Sequence, residues 1–135
     1  MRLIRELDEA QVAELHQLYQ HEWWTQTRTL DEVREGVRGS QACYAILSSE
    51  NQLIAFARVL TDYVFKALIF DVIVRPDFRG QGLGDQILSH IIGDTKLARV
   101  KHFELYCLPE MEPFYLRHGF TADVSGVKLL RRSVN

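Results

Sequence analysis

The sequence predicts an α/β fold of mixed α+β type, with a central mixed, mostly antiparallel sheet, one parallel β-α-β unit and helices on both faces. The prediction rests first on the alternation of strand-like and amphipathic helix-like runs along the 135 residues. It rests second on two strand-like runs with hairpin spacing near the middle of the chain. A helix-length run between the last two long strands is the third observation, since a parallel connection requires one. These features predict a single domain over residues 1–135.

The N-terminal segment is typical of a short strand followed by a helix. Residues 2–7 predict the strand. Asp8 and Gln11 have the spacing of a capping box, in which each residue satisfies a backbone N–H at the start of a helix. The helix that follows would present one apolar face, formed by Val12, Leu15, Leu18 and Tyr19.

A second helix and the first three long strands are predicted next. Thr29 with Glu32 forms another capping box, for a short helix that ends near Val37. The runs ACYAILSS and LIAFARVLT, separated by residues 50–52, predict a hairpin. FKALIFDVIV predicts the next antiparallel strand.

The second half of the chain supplies the parallel unit. After a glycine-rich segment, one helix is predicted with an apolar face and a stop near Gly93; that face contains Leu83, Ile87, Leu88 and Ile91. VKHFELYC predicts a strand parallel to FKALIFDVIV. PEMEPFYLRHG predicts a helix with Pro109 at its first position and Gly119 beyond its end. Residues 120–132 can supply a final pair of strands.

Composition and charge exclude several classes of function. The formal net charge is −2, with acidic and basic residues interleaved, so no basic face for nucleic acid is expected. The apolar runs are too short to cross a membrane. Cys43 and Cys107 form no disulfide framework and fit a reducing compartment. The start MRLIRELDEA lacks the core of a signal peptide, so we expect a cytoplasmic protein.

The segment VRPDFRGQGLGDQIL, residues 74–88, is the most informative part of the sequence. Three glycines precede or enter a helix, although each glycine inside a helix costs about 1 kcal/mol relative to alanine. A helix N-terminus offers unpaired N–H groups to an anion, and glycine lets a ligand approach the backbone. Arg79 can add charge-assisted hydrogen bonds. The segment therefore predicts a binding site for a pyrophosphate, as opposed to a plain turn between a strand and a helix.

Two common phosphate-binding motifs do not fit this segment. A Walker A loop needs Lys and Ser or Thr after its last glycine, and Asp85 and Gln86 stand there. A dinucleotide-binding fingerprint has the spacing G-x-G-x-x-G, and Asp85 occupies the position of its last glycine. Glu104 does lie about 20 residues downstream, where such proteins carry a ribose-binding acid. The strands before the glycines look antiparallel, however, which disfavours the dinucleotide interpretation.

The segment resembles a known family more closely. The core pattern Arg/Gln-x-x-Gly-x-Gly/Ala of the acetyl-CoA signature of GNAT N-acetyltransferases is met by Arg79, Gly82 and Gly84. The flanking V-x-P and R-G-x-G are also in place. Residues 113–120, PFYLRHGF, resemble the second signature of the family, F-Y-x-x-x-G-F. The order of elements agrees with the family over nearly the whole chain.

The resemblance implies a site for acetyl-CoA as co-substrate and a role for one tyrosine. In the family, the backbone N–H groups of the segment matched by residues 79–84 hold the pyrophosphate. The preceding strand pairs with pantetheine where the two parallel strands separate. The implied cofactor-binding residues are Val72, Ile73, Val74, Arg79, Gly80, Gln81, Gly82, Leu83, Gly84 and Phe114. Tyr115 matches the usual general acid for the departing thiolate, a task that suits a phenol; otherwise it is a tyrosine packed on the sheet.

The acceptor side is less clear from the sequence. Attack by an amine on a thioester requires the loss of a proton, often to a carboxylate. Asp71, within an apolar strand, is the first candidate for this base, and Glu104 is the second. Either acid can instead be structural, held by backbone N–H groups. Candidates for contact with the acceptor amine, from position alone, are Trp23, Trp24, Arg58, Asp62 and Tyr63, and the tryptophans can equally cover the core.

The sequence leaves one rival function open. Many GNAT relatives carry an asparagine seven residues before the tyrosine, where this chain has Leu108, so a non-catalytic acyl-CoA-binding or regulatory module is the alternative to an enzyme. No metal site is predicted, because His21-Glu22 is followed by Thr25 where a zinc protease needs a second histidine. Cys107 is expected to be a buried, inert thiol. The oligomeric state stays open, with a homodimer among the assemblies that the sequence allows.

Overall fold

The computed structural model describes residues 1–134. Within this range, the strands are β1 (Arg2–Ile4), β2 (Ala42–Leu47), β3 (Leu53–Thr61), β4 (Lys66–Val74) and β5 (His102–Leu105). The α-helices are α1 (Glu9–Tyr19), α2 (Leu30–Arg38), α3 (Leu83–Ile92) and α4 (Glu112–Leu116). Short 3₁₀ turns span Pro76–Phe78, Thr95–Leu97 and Pro109–Met111. No helix in this part of the chain is long and apolar enough to cross a bilayer.

The strands form one mixed sheet in the order β1-β2-β3-β4-β5. The first three neighbouring pairs are antiparallel, and β4 pairs with β5 in parallel. α3 lies in the connection between β4 and β5, which supplies the helical crossover that a parallel pair requires. The predicted fold, a mostly antiparallel sheet with one parallel β-α-β unit, is therefore confirmed.

The alternation of side chains along β3 divides the apolar core into two layers. Ala55 and Ala57 point into a cluster that contains the apolar face of α3. Phe56, between them, points into a second cluster formed with α1 and with Val33 of α2. The sheet thus has helices on both faces, and Tyr115 of α4 belongs to the layer of α3.

Both predicted capping boxes are present. Asp8 Oδ1 accepts from the backbone N–H of Gln11 at 2.9 Å, and Gln11 Oε1 accepts from the N–H of Asp8 at 2.9 Å. Thr29 and Glu32 make the same reciprocal pair at the start of α2. Because each box satisfies backbone donors that a helix leaves unpaired, α1 and α2 begin where the sequence predicts. β1 ends at Ile4, short of the predicted residue 7, because the chain then turns to reach the Asp8 cap.

β4 contains a bulge opposite β3. Phe56 pairs with Ile73, whereas Arg58 pairs with Phe70, so β4 has one residue more than β3 in this interval. Asp71 lies in the bulge with a φ of +59°, a conformation that is uncommon for a residue with a side chain. The extra residue changes which face of the sheet each later side chain of β4 occupies.

The consequence is a reversal of the alternation along β4. Ala67 and Ile69, before the bulge, pack in the layer of α3. Ile73, an even number of positions later, packs in the opposite layer with α1. The bulge therefore allows Asp71 to be aimed at α1, although a regular strand would have placed it on the side of Ile69.

The predicted helix over PEMEPFYLRHG is divided in two. The 3₁₀ turn Pro109–Met111 comes first, and α4 begins at Glu112. Pro113 has no N–H and cannot bond to the carbonyl of Pro109, so a regular α-helix cannot run through this point. Gly119, with a φ of +86°, lies beyond the end of α4 as expected.

The predicted pair of strands over residues 120–132 is wrong. Residues 117–134 contain turns, bends and irregular chain but no strand. Leu129 and Leu130 are adjacent and exposed, so the segment lacks the apolar–polar alternation that would let a strand bury one face. Ser125 and Gly126 both have positive φ values, which places a turn in the middle of the predicted strands.

Candidate active site

A cleft opens where β4 and β5 separate. Their parallel pairing begins at Lys66–His102 and ends at Ile69–Leu105. Residues 70–74 of β4 therefore have no partner in β5, and their backbone edge faces the cleft. The cleft has a volume of about 1340 Å³ and is lined by this half of β4, the glycine segment, the residues after β5 and α4.

Residues 79–84, here called the cradle, close one end of the cleft. Gly80 and Gly82 have φ values of +78° and +80°, which side chains disfavour. Gly82 is the N-cap of α3. Because glycine has no side chain that could accept a hydrogen bond, the first N–H groups of the helix are not capped by a side chain. A Cβ at Gly84, in contrast, would lie 3.1 Å from Phe114 Cζ. Two of the glycines thus serve the backbone conformation, and the third makes room for α4.

Arg79 connects the cradle to the loop between α1 and α2. Its Nη2 donates to Glu22 Oε1 at 2.6 Å, and its Nε donates to the carbonyl of Val74 at 3.1 Å. The Arg79 side chain is half exposed, so its guanidinium also remains open to solvent at the mouth of the cleft. The loop that carries Trp23 and Trp24 is held to the cradle by this ion pair.

Tyr115 is a largely buried residue that lines the cleft. Its ring packs edge-on against Phe114 and Phe120, with centroids 5.0 and 5.9 Å away. Within residues 1–134 the hydroxyl has no hydrogen-bond partner, and it is not enclosed away from solvent. Burial, with a smaller contribution from Cys107, raises the pKa of Tyr115 to about 12. The phenol therefore holds its proton at neutral pH.

Tyr115 is positioned by contacts between α4 and α3. His118 Nε2 and Asp85 Oδ1 are 2.7 Å apart, and Arg117 Nη1 lies 3.3 Å from the same oxygen. Hydrogen bonding to His118 is the main cause that lowers the pKa of Asp85; burial opposes it, and the charges of Arg117 and His118 lower the pKa further. The C-terminal end of α4 is thereby fastened to the first turn of α3, next to the cradle.

Among the acidic residues that line the cleft, Asp71 accepts the most hydrogen bonds. Its carboxylate accepts hydrogen bonds from Tyr19 Oη at 2.8 Å, from both Nη atoms of Arg28 at 2.6 and 3.1 Å, and from Arg58 Nε at 2.7 Å. Burial alone would raise the pKa of Asp71, but the hydrogen bonds and charges of the two arginines outweigh it and lower the pKa. Asp71 is therefore a carboxylate at neutral pH.

Aromatic side chains form part of the wall of the cleft. Trp23 and Trp24 line it while being 68% and 38% exposed, so they cover little of the core. The rings of Phe70 and Tyr106 pack edge-on with centroids 5.7 Å apart, and the Arg58 guanidinium lies 5.2 Å from the Phe70 centroid. The cleft thus combines aromatic walls with two guanidinium groups beside Asp71.

Most of the residues singled out in the sequence line the cleft, and four do not. Asp62 Oδ1 instead accepts from backbone N–H groups of the turn that follows it. Tyr63 is part of the same turn, with a φ of +66°. Glu104 forms an exposed ion pair with Lys66 at 3.0 Å. Gln81 lies in the cradle but is not among the lining residues of the cleft.

Sequence reasoning did not identify two of the side chains that contact Asp71. Tyr19 was assigned to the apolar face of its helix, and its hydroxyl contact with Asp71 spans 52 positions. Arg28 was not singled out, and its contact spans 43 positions. The available signal was Asp71 itself, because an acid in an apolar strand requires compensating cations. No local pattern identified which arginine supplies them.

Comparison with known proteins gives consistent matches. The model of the Acetyltransferase (GNAT) domain matches residues 40–122, from β2 through α4. The uncharacterized N-acetyltransferase ycf52 of Pyropia yezoensis is 32% identical over 118 residues, which cover 85% of this chain and 67% of that protein. The chain thus spans about two thirds of the length of this relative.

Solved structures show the same fold. A crystal structure from Xanthomonas campestris pv. campestris, assigned to the GNAT family, has a TM-score of 0.82 and 25% identity, covering 99% of this chain and 94% of that one. An aminoglycoside 6'-N-acetyltransferase complexed with coenzyme A has a TM-score of 0.67 at 13% identity, covering 78% of this chain and 61% of that one. The second likeness shows the fold alone.

Proposed function

Because the chain belongs to the GNAT acetyltransferase family, we propose that it transfers the acetyl group of acetyl-CoA to a primary amine by direct attack in a ternary complex. The observation that carries the proposal is the cleft between β4 and β5, which joins the cradle to the unpartnered hydroxyl of Tyr115. Acetyl-CoA, when bound, supplies an acetyl group activated as a thioester. The residues of this chain bind acetyl-CoA, orient the amine, and donate or accept the protons that move during the transfer.

The cofactor half of the cleft fits a molecule with a pyrophosphate and an amide-containing arm. Gly80 and Gly82 have no Cβ, and a Cβ at either position would point into open space, so the backbone can be approached closely. The N–H groups at the start of α3 and the guanidinium of Arg79 suit an anion. The free edge of residues 72–74 offers backbone donors and acceptors to the pantetheine amides.

Tyr115 is proposed as the general acid. Its phenol is protonated at neutral pH because burial raises its pKa to about 12. Tyr115 lines the cleft, and its hydroxyl has no protein partner among the described residues, so we propose that its proton is available to a leaving thiolate. The O–H bond of Tyr115 breaks as the S–H bond of free CoA forms, and solvent returns the proton afterwards.

Asp71 is kept as the candidate acceptor of the amine proton, directly or through water. It lines the cleft beside the β4 bulge, whereas Glu104 lies outside the lining. Because hydrogen bonds from Arg28 and Arg58 lower its pKa, Asp71 is a weaker base than a free carboxylate. A shared role with water, or an amine that enters already neutral, therefore fits its surroundings best.

A second candidate function is a non-catalytic acyl-CoA-binding module. One observation favours it: Leu108, which lines the cleft, stands where many relatives carry an asparagine for pantetheine. The dinucleotide-binding alternative receives no support, because β2, β3 and β4 before the cradle are antiparallel.

The two candidates are separated by measuring thiol release and binding on the same protein. Acetyl-CoA is incubated with a panel of primary amines while thiol release is followed, and CoA binding is measured by calorimetry. Binding together with amine-dependent thiol release supports the enzyme. Binding without release for any amine identifies the non-catalytic module. Absence of CoA binding overturns both.

A further inference from the structure

Two arginines in the acceptor half of the cleft share a single carboxylate. Arg28 and Arg58 both donate to Asp71, which leaves the group with one uncompensated positive charge. Each guanidinium has five N–H donors, and the contacts within residues 1–134 use two of Arg28 and, besides a long 3.4 Å contact to Ser40 Oγ, one of Arg58. Both arginines line the cleft and a neighbouring cavity.

These two arginine side chains are mostly buried, and their positive charges are only partly compensated. Their side chains are only 31% and 18% exposed. A buried cation is costly unless anions or hydrogen-bond acceptors compensate it. Asp71 compensates half of the charge of the pair, so the arrangement has the capacity to bind one further anion.

A cavity of about 200 Å³ lies behind the arginines. Arg28 and Arg58 line both this cavity and the cleft, so they stand at the boundary between the two. Tyr19 and Val33 contribute to its walls. Glu32 also borders the cavity, but it is exposed, and its carboxylate accepts from the backbone N–H of Thr29 at 2.8 Å.

A glycine in α2 keeps this cavity open. Gly36 lies in the interior of the helix, where glycine costs about 1 kcal/mol relative to alanine. A Cβ at Gly36 would meet no atom within 4 Å, so packing against the rest of the protein does not require a glycine there. Gly36 lines the cavity, and a long side chain at this position would occupy it.

We infer that the acceptor is a small primary amine that also carries an anionic group, a carboxylate or a phosphate, and that Arg28 and Arg58 bind that group. The inference rests on the proposed acetyl transfer. The planar guanidinium matches the oxygens of both anions in paired hydrogen bonds. Asp71 holds the two arginines in position, and Trp23 and Trp24 line the same cleft.

The first test compares amines that differ only in the anion. β-Alanine is paired with β-alaninamide for the carboxylate, and O-phosphoethanolamine with ethanolamine for the phosphate, with rates expressed per unprotonated amine. Charge-assisted hydrogen bonds predict a kcat/KM roughly 10- to 100-fold higher for the anionic member of at least one pair. The pair that shows the preference identifies the anion. Neutral members that are equal or better in both pairs overturn the inference.

Variants connect the preference to the arginines. Arg28→Gln should reduce the preference roughly 10-fold or more, mainly by raising KM for the anionic amine. Arg38→Gln is the matched control, because Arg38, at the end of α2, is exposed and paired only with Glu35 among the described residues, and its loss changes the net charge equally. An equal fall of kcat/KM for both members in Arg28→Gln would indicate a merely structural role and contradict the inference.

The cavity and the anion are also tested without turnover. Gly36→Met should weaken binding of the anionic amine, whereas Gly36→Ala should retain it with an unchanged or higher Tm. Calorimetry with N-acetyl-β-alanine and N-acetyl-O-phosphoethanolamine in the presence of CoA should show binding of at least one to the parent and at least 10-fold weaker binding to Arg28→Gln. If no amine is acetylated but this difference holds, the proposed function fails and the anion site stands. If neither compound binds, the anion site is overturned.

Discussion

A carboxylate within FDVIV needs compensation for its charge, and Asp71 obtains it from distant residues. Arg28 and Arg58 lie 43 and 13 positions away, and Tyr19 adds a third donor at 2.8 Å. The side chain of Asp71 is only 4% exposed, so these contacts replace its hydration almost completely. The same contacts order the arginines at the acceptor end of the cleft.

Asp71→Asn should lower stability in a pH-dependent way. Removing one partner of a largely buried ion pair leaves the arginines uncompensated, and a loss of about 3 kcal/mol is expected because Arg28 keeps some access to water. The contacts lower the pKa of Asp71 in the folded state, so its contribution is fully present above the unfolded pKa of about 3.9 and is lost as the pH falls further, through the folded pKa. Urea unfolding from pH 7 to pH 2 should show parent and variant converging only below about pH 4.

The same variant tests Asp71 as a proton acceptor. If Asp71 takes the amine proton, kcat/KM of Asp71→Asn should fall most near neutral pH and less at alkaline pH, where more of the acceptor is a free amine. A pH profile parallel to that of the parent would remove Asp71 from this role and leave water as the acceptor.

Tyr115→Phe should remove activity while leaving the fold intact. Loss of a general acid is expected to lower kcat by roughly 10²–10⁴-fold. The Tm should change little, because within the described residues the hydroxyl has no partner whose hydrogen bond would be lost. CoA affinity should also stay close to that of the parent, since the cradle lies on another element. Turnover at the parental rate would exclude Tyr115 as the acid and leave water to protonate the thiolate.

At the scale of elements, the shape of the cleft follows from β4 and its neighbours. The pairing with β5 stops at Ile69, so the remaining residues of β4 present a free edge. The bulge at Asp71 lies just beyond this point and turns one polar side chain toward α1. The cradle then follows directly at the end of the strand. Cofactor and acceptor halves of the cleft are thus brought together by one continuous segment, residues 70–84.

Gly82→Ala tests the cradle, with Gly126→Ala as a matched control. Both glycines have a φ near +80°, and a Cβ at either would meet no atom within 4 Å. Both substitutions should therefore cost a similar 1–2 kcal/mol, roughly the strain of a left-handed conformation. Only Gly82→Ala should weaken CoA binding, by roughly 10-fold or more, because its methyl group faces the approach of the phosphates. Equal CoA affinity in the two folded variants, measured by calorimetry, would contradict the cradle as the phosphate site.

At the scale of the whole molecule, ligand binding should be visible in the unfolding transition. At a concentration of 100 times its Kd, CoA adds about 2.7 kcal/mol to the stability of the folded state, which corresponds to a rise in Tm of roughly 10 °C for a chain of this length. NADH should leave the Tm unchanged, because the topology around the cradle differs from that of dinucleotide-binding sheets. Stabilisation by NADH and not by CoA would reverse the assignment of the cofactor.

The order of elements and the starts of α1 and α2 were predictable because their signals are local. Asp8 with Gln11 and Thr29 with Glu32 act over three positions, and both capping boxes form as expected. The antiparallel hairpin and the parallel unit follow from the lengths of the connections. The prediction of two strands in residues 120–132 was wrong because a strand requires a partner edge. No local pattern in this segment specifies such an edge.

The sequence by itself determined that a glycine-rich segment precedes α3 and that a tyrosine follows in a second motif. Only the tertiary structure decided what surrounds them. It decided that Gly84 makes room for Phe114, that a bulge aims Asp71 at α1, and that Arg28 borders a cavity. The reason is that capping, turn preference and periodicity act between residues a few positions apart. The charge of a buried acid, in contrast, must be compensated by whichever cations the completed fold brings within hydrogen-bonding distance.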